Sequence, residues 1–435
     1  MSGGDYFLLA MDRRPSRVQS PAHVCRLLLL LDGELDASRL REALEASPLA
    51  LWIAGMRPRF RPAPLPPLWK SGDRRVEFVI TESERSDSLE DLAGAVGEIS
   101  RLGGTNAVPG LAFHIMRDGR NRSVLVMSWH HAVMDAHGAE LFLERLTAPD
   151  DMADALPPRR EPRKSWFARG GLGDMRDRIA ASRQSIRHAA ALSRLPVDSL
   201  LNGGGSRASG EQRFAVRPFT QTESRRMEAR AGELGIALRP GAFFMAGVGV
   251  AIHRLLERRG TSPRGGVVPM PTDLRKLGAR GPVVSNQISF YFFRVDAALS
   301  GDFPALARSL SALMLEQARR RVPEGFSIMT RHFRRVPLWL YSRLVAGPSR
   351  GQIASWYFSH TGAVMPRLNA FLGLPILDAL HLPPAVCPPG LSAAFMSRGG
   401  RTSAVLSWAG DLISAAESGR LLEDLSAILL GEGER

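Results

Sequence analysis

Ten histidines occur in 435 residues, and three of them, His130, His131 and His137, fall within SWHHAVMDAHG, Ser128 to Gly138. Histidine is the side chain whose unperturbed pKa, about 6.5, lets it take up and release a proton near neutral pH. Burial behind an apolar strand lowers that pKa and keeps the imidazole neutral, as a base requires. Three readings fit the cluster. His130, Asp135 and His137 could ligate a metal, although adjacent histidines point apart and the spacing matches no zinc signature. All three histidines could be hydrogen-bonded polar residues of a turn. Or one imidazole could act as a general base, because a helical start brings His131 and Asp135, four apart, to the same side.

The flanking sequence says what must hold these side chains. Ser123 to Trp129, SVLVMSW, is β-branched and apolar and predicts a buried strand, while GAELFLERL has helical spacing and predicts a helix over 135–146. The double histidine thus sits where a strand hands over to a helix, a place where rigid elements on both sides fix a side chain. RLLLLLDGELD predicts a strand, a turn at Asp32-Gly33 and a helix capped by Asp36. Further strands are expected over 75–81 and 111–116. The second half restarts the alternation, with strands expected at 213–216, in GGVVPMPTDLR, in VVSNQISFYFFRVD, and at 354–359, 391–396 and 402–408. Pro240 to Arg258 is nearly all apolar and predicts a buried helix; other helices are expected over 302–321, 327–345 and 414–430.

Length and alternation predict an α/β protein of two halves, each near the ~150 residues that one core supports. We divide the chain into 1–150, carrying the double histidine, a connector over 151–210, and 211–435. The connector is rich in proline and arginine, then basic and helical over Gly173 to Leu195, then flexible in NGGGSRASG. No apolar run reaches the roughly 18–20 residues of a membrane span. The N-terminus lacks a basic-then-apolar signal layout, so a cytoplasmic protein is expected, with a peripheral place at the inner membrane surface as an alternative. Cys25 and Cys387 form no close pair, which argues against a zinc knot or a disulfide framework. Of 57 basic residues only three are lysine, a bias expected of a GC-rich bacterial genome. Residues 1–150 carry 18 basic and 20 acidic side chains, a balance of −2, so the remainder carries +16 within the net charge of +14. A basic second half suits an anionic ligand, an acidic partner protein or an anionic lipid surface, and equally a solvated arginine-rich face. The arginines lack interleaved aromatics or a recognisable module, which argues against nucleic acid.

HHAVMDAHG resembles the His-His-x-x-x-Asp-Gly motif of the coenzyme A-dependent acyltransferase superfamily. That superfamily includes chloramphenicol acetyltransferase, nonribosomal peptide condensation domains, polyketide-associated acyltransferases and bacterial wax ester synthase/diacylglycerol acyltransferases. The last group is most similar along the chain. DYFLLAMD resembles its opening segment, PPLW at 66–69 its Pro-Leu-Trp, and VPMPTDLRKLG with SNQISFYFFRVD its arginine-bearing strand and Gly-Asn. FSHTGAV at 358–364 and the closing PPGLSAAFMSRGGRTSAVLSWAGDLI resemble its later segments. This chain differs in three places: glycine arrives two positions late, at Gly138; Arg239-Pro240 stands at the start of the long helix; and Ser285 precedes Asn286 where the family has glycine.

The resemblance implies two chloramphenicol-acetyltransferase-like α/β sandwich subdomains with mixed sheets and an active-site tunnel between them. It implies His131 as general base, His130 and Asp135 as its companions, and Arg275, in PTDLR, as the partner of Asp135. Gly138 would support the loop, and Ser285 and Asn286 would lie near the substrate and its developing oxyanion. Neither metal nor cofactor is implied, since the acyl group arrives activated as a thioester. Acyl-coenzyme A or an acyl carrier protein would donate, and an alcohol or amine would accept. Three functions follow: an O-acyltransferase of the wax ester/diacylglycerol type working at a membrane or lipid-droplet surface; a carrier-dependent condensation or polyketide-associated enzyme; or an inactive acyl-binding scaffold.

Overall fold

The computed structural model describes residues 1–13, 21, 23–72, 77–85, 91–100, 110–147, 198–202, 210–347 and 352–432, with scattered positions between 155 and 191. The basic helix expected over Gly173 to Leu195 lies largely outside the described residues.

The first half begins with helix α1 (Gly3–Asp12), started by a capping box in which Ser2 and Asp5 exchange hydrogen bonds. Strand β1 (Val24–Asp32) follows, apolar on both faces apart from Arg26 and buried almost throughout. A strand of this kind needs a neighbour on each edge and a layer on each face. Helices α2 (Ala37–Ala46) and α3 (Pro48–Ala54) lead to a small hairpin, β2 (Met56–Arg59) with β3 (Leu68–Ser71). Then come β4 (Val79–Glu84), α4 (Leu92–Ile99), β5 (Leu111–Arg117), β6 (Arg122–His130) and α5 (Ala136–Thr147). The last two realise the strand and helix expected around the double histidine.

The second half runs β7 (Gln212–Pro218), α6 (Gln221–Glu233) and α7 (Pro240–Arg258), the last buried on all sides from Gly241 to Ile252, as its composition predicts, with the charged side chains of its final turns exposed. A two-stranded unit, β8 (Gly266–Asp273) with β9 (Ile288–Val295), is followed by α8 (Phe303–Arg319), α9 (Val322–Phe333) and α10 (Leu338–Ala346). The single helix expected over 327–345 is therefore two helices. The break falls at Pro337, which has no N–H to continue the ladder. The chain closes with β10 (Tyr357–Ala363), β11 (Ala370–Phe371), β12 (Leu374–Leu382), β13 (Leu391–Arg398), β14 (Arg401–Ala409) and α11 (Ala415–Leu430).

These strands form a six-stranded sheet, β11-β12-β1-β6-β5-β4, and a four-stranded one, β10-β13-β14-β7. Both are mixed, since β4 with β5 and β10 with β13 run parallel while the other neighbours are antiparallel. The architecture is the mixed α/β, two-subdomain arrangement expected from the sequence. A division at residue 211 does not follow the sheets, however. Strand β12 belongs to the second half in sequence but pairs with β1, from Arg26 against Leu382 to Leu31 against Ile376. The reason is the second edge of β1, which nothing within 1–150 covers among the described residues. One core gathers β1, β6, α5 and β12, with Val283 and Val284 from the loop before β9. Another packs α7 between α11 and the sheet of β13 and β14. A third joins α1 to Leu338 and Tyr341 of α10.

Without β12, a fragment of residues 1–150 would present an unpaired apolar edge. Expressed alone it is expected to be insoluble or to bind hydrophobic dye, and co-expression with 205–435 should restore a soluble complex. A monodisperse 1–150 fragment with a cooperative thermal transition would contradict the interdependence.

Candidate active site

The β1–β6 ladder sets Val24 opposite His130. One step beyond it, the His131 N–H donates to the His23 carbonyl at 2.8 Å. His23 therefore stands beside His131, with ring centroids 5.2 Å apart and the planes at 82°. His130 turns the other way. Its Nδ1 accepts the Ala132 N–H at 3.2 Å, so Nε2 carries the proton and meets Asp12 Oδ2 at 2.8 Å. The other carboxylate oxygen of Asp12 lies 3.1 Å from His23 Nδ1. One carboxylate thus orients two imidazoles. Burial resists ionisation of Asp12, but His23 and His130 outweigh it and hold the carboxyl well below the usual range.

His131 lines a cavity of about 490 Å³ between the halves. Among the described residues its Nδ1 is buried without a hydrogen-bond partner, while the residue as a whole keeps partial exposure. Burial first, and the charge at His23 second, lower its pKa to about 4 against an opposing pull from Asp135. At neutral pH the imidazole is therefore uncharged and able to accept a proton.

Asp135 joins the halves. Its Oδ1 accepts the Gly138 N–H at 2.8 Å and so caps α5. Its Oδ2 accepts from Arg275 Nη1 at 3.0 Å and from the Gln287 N–H at 2.7 Å. Both side chains of the ion pair are buried, at 3% and 4% exposure. Arg275 Nη2 also donates to the Pro282 carbonyl at 2.9 Å, and Nη1 to Asp273 at 3.1 Å. The late glycine has its reason here: a Cβ on Gly138 would run into the Val283 carbonyl oxygen, so the second-half loop rests directly on this backbone.

Ser285 and Asn286, expected near the substrate, do not line the cavity. They are a fastening between the halves, because their donors are taken up by Asp5. Ser285 Oγ donates to Asp5 Oδ2 at 2.5 Å, and the Asn286 N–H and Nδ2 donate to Oδ1 at 2.7 and 3.0 Å. Trp69 Nε1 adds a bond at 2.9 Å and the Ser2 N–H one at 2.6 Å. Asn286 Nδ2 also donates to the His131 carbonyl at 2.8 Å, tying the loop to the candidate base. Ser285 has φ +79°, a left-handed backbone that favours glycine, which fits the residue the resembling family carries there. His130, Asp135 and His137, weighed as metal ligands, meet different partners: Asp12, Arg275 and Glu140. His137 is half-buried, and the Glu140 carboxylate 3.9 Å away raises its pKa.

Sequence reasoning did not assign site roles to Asp5, Asp12 or His23, although Asp5 and Asp12 stand seven apart, two turns on one face of α1. It also missed a buried pair, His381 Nε2 with Glu140 Oε1 at 2.8 Å. Burial opposes ionisation of Glu140, but His137 and His381 beside it bring its pKa to about 2. Arg26, also unassigned, lies buried on the cavity wall over the Phe214 ring at 5.3 Å, and burial lowers its pKa to about 10. The remaining wall is mostly apolar. Phe7 from α1, Phe290 and Phe292 from β9, Phe326 and Phe333 from α9, and Tyr341 from α10 make an aromatic lobe.

No protein-family model matches the sequence, and no curated protein matches it. Solved structures do. The first condensation domain of the CDA synthetase superposes with a TM-score of 0.64 at 15% identity, over 100% of this chain and 96% of that one. The trichothecene 15-O-acetyltransferase TRI3 from Fusarium sporotrichioides gives 0.65 at 11% identity, over 99% and 94%. A wax ester synthase/diacylglycerol acyltransferase from Marinobacter aquaeolei VT8 gives 0.58 at 14% identity, over 99% and 98%. The fold is that shared by condensation domains and these acyltransferases.

Removing one partner of a buried ion pair costs roughly 3–5 kcal/mol because the other charge is stranded. Asp135→Asn and Arg275→Met are each expected to lower stability by that order, and the double variant by less than the sum. Additive losses in a urea-unfolding double-mutant cycle would show that the pair acts as two independent groups.

Proposed function

We propose that the protein transfers an acyl group from a thioester to an alcohol, with His131 as general base. The single observation that carries this reading is a neutral imidazole set at the wall of an apolar cavity between the halves. The acceptor hydroxyl approaches His131 Nε2, which takes its proton as the oxygen attacks the thioester carbonyl. The tetrahedral intermediate collapses with cleavage of the carbon–sulfur bond. His131 then returns the proton to the departing thiolate. No serine or cysteine nucleophile is needed, because the thioester is already activated. The low pKa of His131 keeps the base form populated, and the negative charge of Asp135 favours the imidazolium once it forms.

The aromatic lobe suits an acyl chain, and a volume of about 490 Å³ lies in the range of small-molecule sites. Acyl-coenzyme A is the donor in this reading, and the likeness to a wax ester synthase/diacylglycerol acyltransferase supports a long-chain ester as product. A second reading takes the acyl group from a carrier protein and hands it to an amine. The likeness to condensation domains supports that one, and the same base would serve.

Turnover is best followed by free-thiol release over a series of acyl-coenzyme A chain lengths, with mixed alcohol and amine acceptors. His131→Ala is expected to slow it by roughly 10²–10⁴-fold while the thermal transition stays near that of the unsubstituted protein. Full activity in a folded His131→Ala variant would refute the base assignment, and absence of thiol release from the unsubstituted protein with every donor and acceptor would favour an acyl-binding scaffold.

Protonation of His131 abolishes the base, so activity is lost as pH falls through its folded pKa. With that pKa lowered to about 4, kcat/KM is expected to stay level below neutrality and to decline only near pH 4. An acid limb near the unperturbed value of about 6.5, with the fold intact by circular dichroism, would assign the titration to another group.

A further inference from the structure

We propose that the outer face of α10 docks on an anionic lipid bilayer, beside the mouth of the cavity. The helix has nine residues, Leu338–Ala346, with two apolar faces. The inner one is accounted for: Tyr341 stacks on Tyr6 at 5.7 Å and on Phe333 at 5.0 Å, and Leu338, Ser342 and Ala346 are buried with it. The outer one carries Trp339, 61% exposed, Leu344, 54%, and Leu340, 36%. Three large apolar side chains grouped on one exposed helix mark an interaction surface, unlike the isolated exposed leucines found on any protein.

The charge around this face points to the partner. From Gly325 through Leu377 the chain holds no aspartate or glutamate and six arginines. Arg331, Arg335 and Arg343 of that stretch are exposed next to or on α10, and the Arg343 guanidinium lies 5.8 Å from the centre of the Trp339 ring. Tryptophan at headgroup level, leucines at the acyl boundary and arginines reaching to phosphates are the components of an interfacial helix. Arginine stems lie along apolar surface while their heads stay in the polar layer. An acidic protein could satisfy the arginines, but it would leave the Trp339–Leu340–Leu344 face to find an apolar counterpart. A bilayer supplies both chemistries in one layer.

The position of α10 gives the docking a consequence. Leu344, Val345 and Gly347 line the cavity, and Tyr341 belongs to its aromatic lobe. A bilayer held against the outer face would bring its acyl chains to the rim of the cavity, so that a membrane-dissolved substrate need not cross water. This consequence rests on the acyl-transfer reading above; the docking itself does not.

The test is sedimentation of the full chain with phosphatidylcholine vesicles, with and without phosphatidylglycerol. The protein is expected to sediment with the phosphatidylglycerol vesicles, less so in high salt as charge screening predicts. Trp339→Ser with Leu340→Ser should weaken this by about tenfold or more, since burial of apolar area drives interfacial binding. Neither residue lines the cavity, so release of thiol from a soluble short-chain thioester should be unchanged, as should the thermal transition. Arg335→Gln with Arg343→Gln should remove the preference for phosphatidylglycerol. The proposal is overturned if the protein stays in the supernatant with both vesicles, or if the Trp339/Leu340 variant sediments like the original. Capture of an acidic carrier protein through Arg335 and Arg343, without vesicle binding, would also overturn it. Sedimentation is read without turnover, so its failure is distinct from a failure of acyl transfer.

Discussion

Two buried carboxylates of the first half, Asp5 and Asp135, receive the loop of the second half between β8 and β9, and the remaining geometry depends on this fastening. Asp135 takes Arg275 and the Gln287 N–H, while Asp5 takes Ser285 Oγ and both nitrogens of Asn286. Neither carboxylate can be left without its donors, because burying an unpaired charge costs several kcal/mol. The halves are therefore held in one relative position, and the cavity between them has fixed walls. The same Asn286 side chain reaches the His131 carbonyl, so the fastening and the candidate base belong to one network.

Within that frame the environment of each histidine separates its role. His130 donates to Asp12 and so positions the loop, and its second nitrogen is occupied by the Ala132 N–H. Among the described residues no carboxylate is hydrogen-bonded to the His131 ring, and burial keeps it neutral. Adjacent residues at a strand end point to opposite sides, which is why one can be structural and the other can face a ligand. The long helix α7 and strands β13 and β14 take no part in this network. They supply the rigid second core against which β10 and the cavity wall are set.

Much of the fold was legible because the signals were local. The apolar run of β1, the continuous hydrophobicity of α7 and the largely apolar stretches of β13 and β14 each follow from burial of neighbouring residues in sequence. The strand-to-helix position of His131 was legible for the same reason, whereas the capping of α5 by Asp135 was not assigned from the sequence. What escaped was set by distant contacts. Strand β12 was not anticipated, since LPILDALHL is interrupted by Asp378 and becomes a strand through pairing with β1. The partners of Ser285 and Asn286 escaped as well, since their hydrogen bonds run to Asp5, 280 and 281 residues away.

By itself the sequence determined the α/β character, the pair of cores, the junction that presents two histidines and the carboxylate that follows them. These are consequences of hydrophobic periodicity and of hydrogen bonds spanning a few residues. The tertiary structure alone decided that Asp12 orients His23 and His130, that Asp5 fastens the second half and that β12 crosses into the first sheet. It also decided that aromatic rings from α1, β9, α9 and α10 close around one cavity. Those arrangements depend on which surfaces meet once both cores have formed, and no spacing along the chain encodes them.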